Sequence, residues 1–471
     1  MLYQTLNGVI DVIIKIMEPA EKELHQSCGK RFFNTPKMES SSKNTSLYNT
    51  LQTHLAYFLQ TLLSVVKEDV NRQEVIFGNM NKFTLRPYQK SASDAAVQAF
   101  KSKKKENGLL ILPTGAGKSL VIADIASKID GPLLVFQPSK EILEQNFAKL
   151  QSYGIWYCGV YSASVGFKDI RRITFATIGS VMNHMKDFAH FKNVLIDECH
   201  TVNSKGGQYK EFIESEDRQV VGLTATPYRL GKGFEGTSML KFLTRTRPRI
   251  FTKVLYYCQI SELLAKGYLA DLKYYDLTCI DMSNVRSNST GADYDEYSLR
   301  LEYERSGFYD KLTSTTLRVL KPKNGIPRKG VLVFTRFINE ADKLVEKLEQ
   351  KGITSAIVTG ETPKKEREYI LADFKAGRIQ VVANVGTLTT GFDYPELDTV
   401  ILARPTKSLA LYYQMVGRAI RPYEGKDGWI IDLGGSYKQF GKVSDLRIDC
   451  PVNTEKWVVK SNGRQLTNVS F

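Results

Sequence analysis

Short apolar runs of strand length alternate with longer stretches of helical periodicity over most of this chain, and they come in two series. Residues 109–112, 132–136, 173–176, 194–196 and 220–223 form the first. Residues 330–334, 355–358, 380–383, 399–402 and 429–431 form the second, with amphipathic stretches such as 339–350 and 364–374 between many of the runs. A short, wholly apolar run is what a parallel strand buried on both faces requires, and helical crossovers are what parallel pairing requires. The pattern predicts an α/β fold of two tandem parallel-sheet domains. Ligands of such sheets bind beyond the carboxyl ends of the strands, so functional residues are expected just after the runs.

Charge divides the chain in a second way. Its 471 residues hold 65 Lys+Arg against 50 Asp+Glu, a net charge of +15. Residues 1–79 contain eight basic and eight acidic residues, so the whole excess lies in residues 80–471. A basic balance of this kind suits a polyanionic partner such as nucleic acid. Within 1–79, residues Leu55, Phe58, Leu59, Leu62, Leu63 and Val66 recur at helical spacing and predict a helix over 51–66. That mainly helical extension reads as an accessory domain, a partner-binding arm or a segment ahead of the natural start. The expected order is then a first α/β domain over 80–235, a linker or insertion over 236–325, a second α/β domain over 326–440 and a tail over 441–471. The linker carries a basic run at 245–249, a helix over 260–266 stopped by Gly267, and a polar surface loop from residue 283.

No run approaches the ~18 apolar residues of a membrane span, and the N-terminus lacks the pattern of a signal peptide. A soluble, cytoplasmic protein with no membrane partner is expected. The six cysteines are scattered with no C-x-x-C pair, which predicts buried, reduced thiols rather than a zinc site or a disulfide framework.

Three strings carry the chemistry. The first is Pro113-Thr114-Gly115-Ala116-Gly117-Lys118-Ser119, between a strand and a helix. Its glycines let backbone N–H groups surround phosphate oxygens at a helix N-terminus. Lys118 would reach the β- and γ-phosphates of ATP, and the Ser119 hydroxyl would ligate Mg2+. The strict pattern has glycine six residues before the lysine, and here that position is Leu112. The second string, Val194-Leu-Ile-Asp-Glu-Cys-His200, ends a buried strand in adjacent carboxylates. Asp197 suits the outer coordination of magnesium, and Glu198 suits orienting or deprotonating an attacking water. Alone, two such acids would read as a strand cap; downstream of a phosphate loop they complete an NTPase. The third, Gln414-Met-Val-Gly-Arg-Ala-Ile-Arg421, spaces Arg418 and Arg421 so that a helix would present both on one face. Such arginines stabilise charge developing on a γ-phosphate, and here they would come from the opposite domain, as in a motor.

These strings, in order, resemble the motifs of DEAD/DEAH-type superfamily 2 helicases, and the likeness covers most of residues 83–435. Arg86-Pro-Tyr-Gln89 resembles the adenine-reading Q motif, Pro113 to Ser119 motif I, and Asp197-Glu-Cys-His200 the acidic box. Thr224-Ala-Thr-Pro227 is similar to motif III, Val331-Leu-Val-Phe-Thr-Arg336 to motif IV, Thr389-Thr-Gly-Phe-Asp393 to motif V and Gln414 to Arg421 to motif VI. Within the superfamily the strings look most like RadD-type bacterial DNA-repair helicases, and restriction-enzyme helicase subunits share several of them. The extension over 1–79 departs from the RadD pattern, as does the short basic tail where that family continues into a cysteine-rich zinc region. No nuclease motif is evident.

The resemblance implies two RecA-like domains with an ATP cleft between them. It implies that Arg86 and Gln89 read the nucleotide base, that Gly391 and Asp393 sense the nucleotide from the second domain, and that Gln414 acts with the two arginines. It further implies that Lys140, Thr177, Ser180, Thr335 and Thr389 contact the phosphates of one strand. The function expected is ATP-dependent movement on, or remodelling of, DNA, single-stranded or forked rather than RNA, in repair, recombination or replication. An RNA helicase and a nucleic-acid-binding protein with a vestigial ATPase are the alternatives. Protein partners are not legible, and residues 283–297 are a candidate strand-separating wedge.

Overall fold

The computed structural model describes residues 84–471 apart from 153, 156, 234–236, 322–324, 326–327, 329, 390, 453 and 471. The extension over 1–79, with its expected helix, lies outside the described residues.

In the first lobe α1 (Pro87–Lys101) precedes β1 (Gly108–Ile111), α2 (Lys118–Lys128), β2 (Leu133–Phe136), α3 (Lys140–Ser152) and β3 (Gly159–Ser162). The short edge strand β4 (Phe167–Lys168), β5 (Ile173–Ala176), α4 (Ile178–Met182), β6 (Asn193–Ile196), α5 (Gln208–Glu214) and β7 (Gln219–Thr224) follow. A hairpin of β8 (Tyr228–Lys232) and β9 (Ser238–Phe242) leads to β10 (Lys253–Tyr257) and α6 (Ile260–Ala265). The sheet order is β10-β1-β7-β6-β2-β5-β3-β4. Every neighbour pair is parallel except β3 with β4.

The second lobe begins at β11 (Leu272–Asp276), α7 (Glu296–Arg305) and α8 (Phe308–Leu320). It continues through β12 (Val331–Thr335), α9 (Ile338–Glu349), β13 (Ser355–Val358), α10 (Lys364–Lys375) and β14 (Val381–Val385). The last elements are β15 (Thr399–Leu402), α11 (Leu409–Val416) and β16 (Gly428–Asp432). Its six strands are all parallel in the order β11-β16-β15-β12-β14-β13.

Each of the ten apolar runs falls on a strand of these sheets. The central strands β1, β2, β5, β7, β12 and β15 are buried along their whole length. Helices on both faces leave no room for polar side chains, which is why the runs read as continuous rather than alternating.

Two regions differ from the expectation. Residues 236–325 are not a linker between finished domains: β10 pairs with β1 at the edge of the first sheet, and β11 pairs with β16 at the edge of the second. Their partly exposed faces hide the apolar signal that the central strands carry. Residues beyond 440 are folded as well. After α12 (Ser436–Phe440), strands β17 (Leu446–Asp449), β18 (Val458–Ser461) and β19 (Arg464–Gln465) make an antiparallel sheet. That sheet returns to the first lobe. Gln259 donates from Nε2 to the Ile448 carbonyl (2.7 Å) and accepts from the Ile448 N–H (3.0 Å), closing the pair like a ladder rung. Trp457 stacks on Phe242, and Asn468 accepts from the Phe242 N–H at 3.2 Å.

Candidate active site

The phosphate loop follows the buried strand β1 and ends where α2 begins at Lys118. Gly115 and Gly117 sit at φ +82° and +75°, left-handed conformations that L side chains rarely adopt. At Gly117 space matters too, since a Cβ would come 2.5 Å from Gln89 Nε2. The loop is gripped from its own lobe at the Ala116 carbonyl, which accepts from the Tyr88 hydroxyl (2.8 Å) and from Gln89 Nε2 (2.9 Å). Gln89 Oε1 accepts from the Arg86 N–H (2.9 Å). Both polar ends of Gln89 are thus engaged within the protein, and the Arg86 guanidinium stacks 4.0 Å over Tyr268. Neither residue lines the cleft, where both were expected against a base.

The acidic pair follows β6. Asp197 is buried; its carboxylate accepts from Asn146 Nδ2 (3.0 Å) and from the Glu198 N–H (2.9 Å). Glu198 lies 3.2 Å from Lys118 Nζ and 3.3 Å from His200 Nδ1. Burial and the neighbouring Glu198 charge push the Asp197 carboxyl up. Burial also acts against Glu198, but Lys118 and then His200 outweigh it and hold this carboxyl well below the usual range. Cys199 packs behind the pair against Gly222, where a Cβ would come 2.6 Å from its sulfur.

His200 extends the chain of contacts. Its Nδ1 is 3.0 Å from Thr224 Oγ1, and its Nε2 is 3.4 Å from the Gln414 side-chain amide of the second lobe. With that amide donating to Nε2, the ring proton sits on Nδ1 and faces Glu198 and Thr224. Thr224 Oγ1 in turn accepts from the Thr226 N–H at 3.0 Å.

From the second lobe, α11 stops at Val416 and Gly417 caps it. Arg418 and Arg421 therefore lie on the turn beyond the helix, not on one helical face as expected. They still converge, because the turn wraps over the cleft and both line it. Arg418 donates to the carbonyls of Phe392 and Thr389 (2.9 Å to the latter), and burial pushes its guanidinium down to about 10, still charged at neutral pH. Arg421 pairs with Asp393, so the residue expected to sense the nucleotide is occupied by an arginine.

Between the lobes lies a cleft of about 350 Å³. Its first-lobe wall holds Thr114, Gly115, Gly117, Lys118, Ser119, Asp197 and Glu198. Thr389, Gly391, Asp393, Gln414, Arg418 and Arg421 face them. Ala116 is enclosed, and Pro113 lines a smaller apolar pocket behind the loop. The wall also has members that the sequence reading missed. Ile142, Gln145, Asn146 and Lys149 form one face of α3, and Gln145 donates across the cleft to the Gly391 carbonyl (2.8 Å). Their helical spacing, with polar residues on the face where a core helix would be apolar, is the signal that could have found them.

The expected strand contacts fare unevenly. Lys140 donates to the Ser164 carbonyl (2.8 Å), while Thr177 lies within 3.0 Å of Ser180 and 3.1 Å of Ser162. Lys140, Thr177 and Ser180 are thus brought together around residues 162–164. Thr335 is fully enclosed, its hydroxyl donating to the Asn384 carbonyl at 3.4 Å, so its side chain is not presented to a ligand. Nor are residues 283–297 a free wedge. Asp293 accepts from Arg336 (2.8 Å), lies beside Arg404 and receives the Lys407 N–H, which ties the loop to the second lobe.

Residues 82–229 match the family described as type III restriction enzyme, res subunit, and residues 314–423 match the helicase conserved C-terminal domain. The chain therefore carries two RecA-like helicase domains, the first similar to the res subunit of type III restriction enzymes. A 51.5 kDa protein of Lactococcus phage (isolate 7-9) is 28% identical over 325 residues, 68% of this chain and 64% of that protein. The DNA 3'-5' translocase XPB2 of Sulfurisphaera tokodaii is 24% identical over 392 residues, 75% of this chain and 82% of that protein. Among solved structures, the ATP-dependent Type ISP restriction-modification enzyme LlaBIII bound to DNA superposes with a TM-score of 0.56 at 19% identity. That superposition covers 75% of this chain and 28% of the other. The chain spans a little under two thirds of the phage relative's length. Among the described residues no helix is long and apolar enough to cross a membrane.

Proposed function

We propose that this chain hydrolyses ATP in the inter-lobe cleft and uses the reaction to move on, or remodel, DNA. One observation carries the reading: Lys118, Asp197 and Glu198 of the first lobe face Gln414, Arg418 and Arg421 of the second across a single cleft. A triphosphate there would be held by both lobes, and its hydrolysis would loosen the hold.

The chain's residues divide the work. The loop N–H groups of 115–119 and the amino group of Lys118 hold the β- and γ-phosphates. To do so Lys118 turns from Glu198, freeing that carboxylate to face a water. Water oxygen attacks the γ-phosphorus as the bond to the ADP oxygen breaks, and Glu198 orients the water. The proton released by the water ends on the phosphate. Arg421, released from Asp393, and Arg418 stabilise the charge spreading over the γ-oxygens. The Glu198–His200–Thr224 contacts, with Gln414 on the other side of His200, give the event a path to both lobes.

Ser119 and Asp197 supply hard oxygen ligands on the same wall of the cleft, the donor set that Mg2+ takes. Bound there, Mg2+ would neutralise charge on the phosphates.

The DNA assignment draws on the likeness to the XPB2 translocase. The RadD-like strings support a place nearest the bacterial repair helicases, acting in the cytoplasm in repair, recombination or replication. Lys140, Thr177 and Ser180 are the residues proposed at the strand; Thr389, expected there too, lines the nucleotide cleft instead. The test is ATP turnover by the full chain with single-stranded DNA, forked DNA or RNA. DNA should stimulate it, and Lys118→Ala and Glu198→Gln should each lower kcat by about 10²–10⁴-fold. Turnover untouched by both substitutions would end the reading, and stimulation by RNA alone would move it to an RNA helicase.

A further inference from the structure

One buried side chain at the site has no role in the scheme above. Tyr413 sits on α11, one turn ahead of the Arg418–Arg421 turn, and is only 2% exposed. It lines the small pocket behind the phosphate loop together with Pro113 and Ala225 of the first lobe and Leu446 of the C-terminal sheet. Its hydroxyl oxygen accepts the backbone N–H of Thr114, at 3.2 Å. A tyrosine of the second lobe thereby hydrogen-bonds the phosphate loop of the first.

The loop is consequently held at two points. Tyr88 and Gln89 hold the Ala116 carbonyl from the loop's own lobe. Tyr413 holds the Thr114 N–H from the opposite lobe, just before the left-handed Gly115. Beside it the helix end is packed tightly on the same residue, since a Cβ on Gly417 would come 2.7 Å from Thr114 Cγ2. Burial pushes the Tyr413 phenol up, so the hydroxyl stays neutral. Any movement of α11 against the first lobe is transmitted to Thr114 directly, and the arginine turn moves with α11.

The geometry points to Tyr413 as a positioning residue that sets the shape of the phosphate loop from the second lobe. Through it nucleotide affinity depends on how the lobes are seated. This rests on the nucleotide reading of the cleft but not on hydrolysis. Removing the hydroxyl leaves the buried ring in place and the Thr114 N–H without the Tyr413 acceptor, a change centred on the loop.

The experiment titrates the full chain with a fluorescent ADP, alongside melting temperature and affinity for single-stranded DNA. Tyr413→Phe should raise the ADP Kd and the KM for ATP about tenfold, while kcat at saturating ATP changes about threefold at most. Melting temperature should fall by a few degrees at most and DNA affinity should stay at its wild-type value, which a general loss of structure would not allow. Gly417→Ala, whose methyl presses on Thr114 without touching the hydroxyl, should weaken ADP in the same direction, and it serves if Tyr413→Phe does not fold. An ADP Kd within about twofold of wild type in a folded variant overturns the assignment. If wild type binds ADP without hydrolysing ATP, the ATPase reading falls while the ADP Kd still decides Tyr413.

Discussion

The cleft side and the proposed strand side of this molecule are built from loops leaving the same sheets, yet they are organised differently. On the cleft side Lys118, Glu198, His200 and Gln414 touch one another in an unbroken chain from one lobe to the other. On the strand side Lys140, Thr177 and Ser180 gather in the first lobe around residues 162–164, while their second-lobe counterpart Thr335 is enclosed. A triphosphate is small and fixed in shape, so residues that serve it must converge to within hydrogen-bond reach of a common point. A strand's backbone is long and repetitive, so its contacts can be spread, and small hydroxyl donors suffice. Convergence is a demanding arrangement that a fold either shows or does not; dispersal asks little of any one residue.

The largest test of this contrast lies at Arg421. It is the partly exposed arginine of the turn, and its guanidinium pairs with Asp393. Arg418 is buried and donates to the carbonyls of Phe392, Thr389 and Gln414, so its removal would also disturb the fold. Arg421→Ala should lower DNA-stimulated kcat by about 10³-fold or more while changing the ADP Kd little. A loss confined to nucleotide binding would show that the second lobe completes a binding site and not a transition-state site.

On the strand side smaller effects are expected, and unequal ones. Lys140→Ala should weaken single-stranded DNA several-fold and reduce the slope of log affinity against log salt by about 1. Thr335→Ala should leave DNA affinity unchanged, since its hydroxyl is committed to Asn384 inside the sheet. Measured by fluorescence anisotropy over a salt series, an equal loss at both positions would break the comparison and place Thr335 at the strand after all.

What was legible in the sequence follows the same division. The sheets could be read because central parallel strands must be apolar on both faces, and each run fell on a strand. The edge strands β10 and β11 and the C-terminal sheet were missed, because half-exposed strands such as Lys253–Tyr257 carry no continuous run. The cleft residues were legible as strings because each string is a loop after a strand. Their pairings were not: that Arg421 holds Asp393, or that Gln89 holds Ala116, depends on lobes and helices that spacing does not place. The helix assumed for Arg418 and Arg421 failed for a local reason, since Gly417 ends α11 and the chain turns. Tyr413 offered no signal at all, being one aromatic among the apolar residues of a helix.

A further expected effect, on stability and not on binding, lies at Glu340 behind Thr335. Its Oε2 accepts the N–H groups of Arg336 (3.0 Å) and Phe337 (3.3 Å), bracing the segment that follows Thr335. Its other oxygen is enclosed without a hydrogen-bond partner, and burial pushes the carboxyl up to about 8 from 4.5. Between those two values the folded chain keeps a proton that the unfolded chain has lost. Folding stability from this group is therefore present at low pH and is lost as pH rises through about 8. Glu340→Gln keeps the acceptor for both N–H groups and cannot ionise. Its melting temperature relative to wild type should thus improve from mildly acidic to mildly alkaline pH, by the equivalent of roughly 1–3 kcal/mol. A difference that stays flat across that range would mean Glu340 is already charged in the folded chain, compensated by Arg404 and Arg300, and that the strand side is braced by an ion cluster instead of a neutral acid.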